Sequence, residues 1–298
     1  TRLELNRLDV GFLTARGGAS EPLRKRSVTI VGVGAVGSPL AAYLAALGVG
    51  RSRYIDPDSH GPENVHRHAL GLRRIGEPKA TALAAELGAR YPHLEFEGRH
   101  ETYEDVLASD PAFILETDLI VVALGDETLE LRINAVIGRG PPRVHAWVEP
   151  LGIAGHALAC WLPGAGPGCY RCLFELDPVF GLVNRAALTA PGQDIRRSLA
   201  GCAGTFSPFS AIDSSRTALE AADLAARVLT GVDRESVLLT WRGEGDALEA
   251  AGYTLSKRAN KIAPGGRVRI LGAEFSRPEC PVCGVIRPAG ASAEPRDI

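Results

Sequence analysis

The stretch from Val28 to Leu47 leaves the chain few ways to fold. An apolar run, Val28-Thr29-Ile30-Val31, passes into Gly32-Val33-Gly34-Ala35-Val36-Gly37, and an alanine- and leucine-rich segment follows from Pro39 to Leu47. That order predicts strand, glycine turn, helix. Arg51 to Ile55 predicts a second short strand ending at Asp56-Pro57-Asp58. The glycines permit a tight turn and let backbone N–H groups approach a phosphate at a helix N-terminus, while Asp56 at the strand tip is placed to hold ribose hydroxyls. This spacing suits NAD, FAD and ATP, and also close helix-sheet packing with no ligand.

The pattern continues in the same style. Ala80 to Arg90 has helical spacing, Leu94 to Phe96 a short strand, and Tyr103 to Ala108 a short helix. Asp118 to Leu124 reads as a buried parallel strand ending at Gly125-Asp126, so Asp126 points to the crevice that holds Gly34 and Asp56. Thr128 to Ile137 reads as helix, Val144 to Val148 and Gly152 to Leu162 as strands, and Ala211 to Leu229 as a long helix. Alternating strands and helices imply an α/β fold, a doubly wound, mostly parallel Rossmann-like sheet with antiparallel additions after about residue 150. The expected divisions are an N-terminal arm or helix over 1–26, a nucleotide-binding half over 27–150, and a second half over 151–285. A crossover loop is expected at about 176–210, and a disordered tail over 286–298.

Composition removes several function classes. A net charge of −2 gives no general attraction to nucleic acid or anionic membrane. No apolar run approaches the roughly 20 residues that span a bilayer, and no signal-peptide core is present, so a cytoplasmic location is expected. The sequence opens at Thr1 and contains no methionine, which suggests a missing upstream domain. Six cysteines are too few for a disulfide scaffold in a chain of 298 residues.

Four of those cysteines form two CxxC pairs, Cys169/Cys172 and Cys280/Cys283. Four thiolates at that spacing suit one tetrahedral Zn²⁺ in a closed structural site, with a redox CxxC as the alternative. The flanks carry no basic-aromatic patch of a nucleic-acid ribbon. Around the glycine turn, a dehydrogenase needs one acidic residue at strand two. Here Asp58, Asn64, Arg67 and Lys79 follow Asp56, and the two cations suit a triphosphate. A lysine in a helix's first turn is disfavoured by the helix dipole, so Lys79 calls for a nearby anion. Asp126 is placed to hold the Mg²⁺ that a phosphate chain carries.

Together Gly32-x-Gly34-x-x-Gly37, Asp56-x-Asp58, Asn64-x-x-Arg67, Gly76-x-x-Lys79, Asp126 and the two CxxC pairs resemble the ubiquitin-activating, ThiF and MoeB superfamily over residues 25 to 285. The resemblance implies ATP-dependent adenylation of the C-terminal glycine of a small ubiquitin-like or sulfur-carrier protein. By position it implies that the three glycines and Asp56 hold adenosine and ribose, that Asn64, Arg67 and Lys79 meet the phosphates, and that Asp126 holds Mg²⁺. It further implies a homodimer in which an arginine of the N-terminal arm, Arg16 or Arg7, reaches the partner's ATP. The chain has Ala123 and Glu127 where members often have Asp and Asn, and His68 where glutamine is common. Its Asn-x-x-Arg-His-x-Leu-Gly stretch, 64–71, is similar to bacterial ubiquitin-activation-like enzymes, some of them from antiphage-defence operons and some joined to a conjugating-type domain.

Cys202, before the 211–229 helix, is the candidate nucleophile for a thioester, since a helix N-terminus lowers a thiol's pKa. Cys160 reads as a packed small hydrophobe, and the seven histidines as structural or surface residues. An NAD-dependent oxidoreductase and a non-catalytic scaffold are the competing readings.

Overall fold

Two apolar runs, Ser27–Val31 and Leu119–Val122, lie side by side in parallel at the middle of an eight-stranded sheet. The computed structural model describes residues 7, 9–18, 20–137, 140–161, 166–198 and 205–284. Along the first half come α1 Val10–Gly17, α2 Glu21–Arg24, β1 Ser27–Val31, α3 Gly37–Ala46, β2 Arg51–Ile55, α4 Lys79–Arg90 and β3 Glu95–Arg99. Then follow α5 Tyr103–Ser109, α6 Pro111–Leu115, β4 Leu119–Val122, α7 Glu127–Val136, β5 Arg143–Val148 and β6 Ala154–Cys160. The remainder holds β7 Phe174–Asp177, β8 Gly181–Asn184, β9 Arg197–Ser198, β10 Thr205–Phe206, α8 Ala211–Leu229, β11 Val237–Arg242, α9 Asp246–Ala250, β12 Arg267–Leu271 and α10 Gly272–Phe275.

The sheet runs β12-β11-β6-β5-β4-β1-β2-β3. Strands β5, β4, β1, β2 and β3 are parallel, and β6, β11 and β12 add antiparallel, as the sequence pattern predicts. Every residue of β4 is fully buried, because a central parallel strand is covered on both faces. Side chains alternate between those faces. Val28 and Ile30 join Leu40, Leu44, Leu83 and Leu224 under α3, α4 and α8, whereas Val31, Ile120 and Val122 join Tyr103, Phe113 and Ile133 under α5 to α7.

Helix α8 is the longest element, and its start is fixed by reciprocal capping. Ser210 N–H donates to Asp213 at 2.8 Å, and Asp213 N–H donates to the Ser210 hydroxyl at 3.2 Å. The sequence reads 176–210 as loop, but a hairpin of β7 and β8 occupies its start. Leu176, Val179 and Phe180 on that hairpin are exposed and Phe174 is the one buried residue of its two strands, so the sequence shows no period-two alternation there. The expected tail over 286–298 lies outside the described residues.

Candidate nucleotide site and cysteine cluster

The strand order reverses between β1 and β4, and the loops leaving these two strands face each other there. Gly32 has a φ of +85°, and a Cβ on it would stand 2.7 Å from the Ala123 carbonyl oxygen of the neighbouring loop. A Cβ on Gly37 would meet the Gly32 carbonyl. These two glycines are demanded by packing. Gly34 differs, since a Cβ there meets nothing within 4 Å and the residue is only half-buried.

Asp56 braces the turn. One oxygen accepts the Val33 N–H at 2.8 Å and the other the Asp58 N–H at 2.9 Å. Burial raises its pKa against the opposing pull of the Asp58 N–H, the Lys79 charge and the Val33 N–H. Each carboxylate oxygen retains a lone pair for a further donor such as a ribose hydroxyl.

Lys79 opens α4 and is almost wholly buried, with its ammonium 2.7 Å from the exposed Asp58 carboxylate. The anion that this lysine requires is therefore present in the chain itself. The 59–78 excursion is closed at its base, where Gly76 N–H donates to His60 O at 2.8 Å and His60 N–H to Glu77 O at 2.8 Å. Asn64 caps a turn of the excursion by accepting the Gly61 N–H at 3.0 Å. The Arg67 guanidinium lies 4.8 Å over the Phe209 ring, just before α8. His68 accepts the Leu70 N–H at 3.0 Å, and its neighbour Ala69 donates to Ser38 in the first turn of α3 at 3.1 Å. The His60 and His68 rings are 4.8 Å apart. Burial, then the His60 and Lys79 charges, press His68 down to about 4.

Asp126 caps α7, accepting the Leu129 N–H at 3.0 Å, and it is exposed at the crevice edge behind Gly125. Beneath it lies an acid that sequence reading passes over. Glu130 is 1% exposed, accepts the Gly125 N–H at 3.2 Å and meets His145 Nδ1 at 3.1 Å. Burial pushes its carboxyl up to about 8, with bonds from Gly125, Leu124 and Tyr170 opposing. Helical spacing from Asp126 is the signal that could have found it, because positions four apart share a face. A second buried acid, Glu149, leaves β5 at the same edge. It accepts from Leu188 N–H at 2.7 Å, from Thr189 N–H and hydroxyl at 2.9 Å, and pairs with His156 at 2.8 Å.

The structure brings Cys169, Cys172, Cys280 and Cys283 together, with all four sulfurs within 4.8 Å of one another and buried. A tetrahedron of thiolates around zinc, with bonds of about 2.3 Å, has edges of about 3.8 Å, so the donor set fits. Asn134 Nδ2 donates to the Cys169 sulfur at 3.4 Å, and Trp161 Nε1 donates to Asn134 Oδ1 at 2.9 Å. Burial raises the Cys160 thiol to about 12, which keeps it inert. Arg7 pairs with Asp9 at 2.9 Å within its own arm. Arg16 lies on α1, with its side chain outside the described residues, as is Cys202.

The sequence pattern of the ThiF family matches residues 9–240. The chain belongs to the ThiF family. This ThiF-family enzyme is 30% identical to a sulfur carrier protein adenylyltransferase of Thermus thermophilus over 95% of its length and 92% of that protein's. It is 29% identical to the ATP-dependent ubiquitin transferase-like protein Cap2 of Pseudomonas aeruginosa, over 76% of this chain and 40% of Cap2. Against the adenylyltransferase and sulfurtransferase MOCS3 of Arabidopsis thaliana, identity is 34% over 52% of this chain and 33% of that one. The fold matches E. coli MccB with a TM-score of 0.60 at 18% identity, over 89% of this chain and 68% of that one. Among the described residues, no helix is long and apolar enough to cross a membrane.

Proposed function

We propose that this ThiF-family chain adenylates the C-terminal carboxylate of a small ubiquitin-like or sulfur-carrier protein, using ATP and releasing pyrophosphate. The observation that carries this reading is the buried lysine at the crevice: Lys79, held 2.7 Å from Asp58, stands beside a glycine turn braced by Asp56. Asp58 balances Lys79 in the free chain, but its carboxylate is exposed and can turn to solvent, leaving to phosphate oxygens a cation that a dinucleotide bound on helix N–H groups alone does not need. The solved structure of E. coli MccB with ATP shares the fold, and the relatives named above bear adenylyltransferase or ATP-dependent names.

In this reading Gly32, Gly34 and Gly37 line the adenosine and phosphate approach, and Asp56 takes the ribose hydroxyls. Lys79 exchanges Asp58 for phosphate oxygens, with Asn64 and Arg67 adding contacts farther along the chain. Mg²⁺ held by Asp126 would supply charge neutralisation on the phosphates. A carboxylate oxygen of the carrier forms a bond to the α-phosphorus as the bond from that phosphorus to the bridging oxygen breaks, and the electron pair leaves with pyrophosphate. No proton moves, so the residues need only align two anions and spread charge. A homodimer completed by Arg16 or Arg7, thioester transfer through Cys202, structural zinc, a conjugating-type partner, an antiphage role and a cytoplasmic location belong to the same proposal. The two kinds of relative match at 30% and 29% identity, and both support a carrier protein as the substrate class.

The test is ATP–pyrophosphate exchange with a candidate carrier ending in glycine. Exchange that requires both the carrier and Mg²⁺ is expected, and Asp126→Ala should abolish it with the melting temperature preserved. Undiminished exchange in that variant removes Asp126 from the metal role. Absence of any nucleotide binding by the unaltered protein overturns the whole reading.

A further inference from the structure

Helix α7 presents three polar residues at intervals of four: Asp126 at its cap, then Glu130 and Asn134 inside. Positions so spaced share one face, and eight residues span about 12 Å. The far end, Asn134, is fully buried and donates to the Cys169 sulfur. The near end is the exposed Asp126. Glu130, between them, reaches back five residues to hold the Gly125 N–H, and Gly125 has a φ of +68°. That amide belongs to the residue that sets where Asp126 leaves β4.

Glu130 is itself gripped from the cysteine side. Its second oxygen meets His145 Nδ1, the Tyr170 hydroxyl bonds the same carboxyl, and the His145 ring lies flat on Tyr170 at 4.3 Å between centroids. Tyr170 sits between Cys169 and Cys172. Burying a carboxyl costs several kcal/mol unless it is hydrogen-bonded, and here Gly125, His145 and Tyr170 supply the bonds. What these bonds do is fix the Gly125 amide against a frame made of β5 and the cysteine loop.

We infer that Glu130 is a positioning residue for the Mg²⁺–nucleotide site, holding the Gly125–Asp126 loop through the Gly125 N–H while His145 and Tyr170 hold Glu130. The inference rests on the assignment of Asp126 to the metal in the proposed function. It separates Glu130 from a merely structural acid, because a structural loss weakens nucleotide binding alike with and without metal. Partners that orient a metal ligand change metal affinity about 10- to 100-fold when removed.

The experiment measures binding of a fluorescent ATP analogue to the full chain, with Mg²⁺ and with EDTA. Glu130→Met fills the space but removes the acceptor, and should raise Kd about tenfold with Mg²⁺ while leaving the EDTA value unchanged. Glu130→Gln keeps an acceptor for Gly125 and should restore binding to nearly that of the unaltered protein. In the Asp126→Ala background, Glu130→Met should add nothing, since the two act on one contact. Equal weakening with and without Mg²⁺, or an additive effect in the double variant, overturns the inference. If Glu130→Met does not fold, Glu130→Asp, shorter by one methylene, should give the same Mg²⁺-selective loss, and unchanged binding there overturns it too. Should Asp126→Ala bind Mg²⁺–nucleotide normally, the metal assignment of the proposed function fails instead, and the two failures are thereby told apart.

Discussion

The three glycines of one motif do different work, and single methyl groups should separate them. Gly37→Ala sets a Cβ on the Gly32 carbonyl, so β1 and α3 must part, at an expected cost of about 2 kcal/mol or more in urea unfolding. Gly34→Ala meets nothing, so the fold should keep its stability while ATP affinity falls roughly tenfold through lost backbone approach. Equal stability loss in both would remove the distinction. His68 provides a second handle. Its folded pKa of about 4 lies below the unfolded value of 6.5, so the stability it contributes is complete above pH 6.5 and is lost as pH falls toward 4. His68→Gln should flatten that acid-side loss, by at most about 3 kcal/mol at pH 4, with His60 leaving a residual slope. The glycines and Asp56 were legible because a local spacing encodes them. The burial of His60, His68 and Glu130 was not, because it depends on which distant segments cover them.

At the level of elements, β1, β2 and α8 could be read from the sequence because periodicity and capping residues act within a dozen positions. The β7–β8 hairpin could not, because its apolar side chains are mostly exposed, and the path after it could not, because what holds it is a residue outside it. Glu149, at the end of β5, gathers donors from Leu188 and Thr189 and so pins the segment that leads toward the 199–204 stretch and Cys202. Glu149→Ala leaves those N–H groups and His156 without their acceptor, at an expected cost of about 3 kcal/mol. The same change should speed tryptic cleavage at Arg196 and Arg197, both exposed and just beyond the pinned residues. Cleavage no faster than in the unaltered protein would show that the segment is held elsewhere.

Across the whole molecule, the parallel and antiparallel halves are one body, since β5 and β6 pair along six residues and no gap divides the sheet. The cysteine cluster closes that body at its antiparallel end, joining Cys169 to Cys280 across 111 positions and packing with Leu158, Leu238, Ile270 and Phe275 from β6, β11, β12 and α10. Zinc there would tie the chain's third quarter to its end and permit four buried thiolates to share one site, which without a cation repel each other in a low-dielectric setting. About one zinc per chain is therefore expected by elemental analysis. Stripping it with a chelator should lower the melting temperature by more than about 5 °C, reversibly with Zn²⁺ and not with Mg²⁺. Because the sheet is continuous, the calorimetric transition should shift as one peak. Two peaks would mean that the antiparallel strands melt as a separate unit, and a chain that carries no zinc and ignores the chelator would leave the cysteines as packing alone.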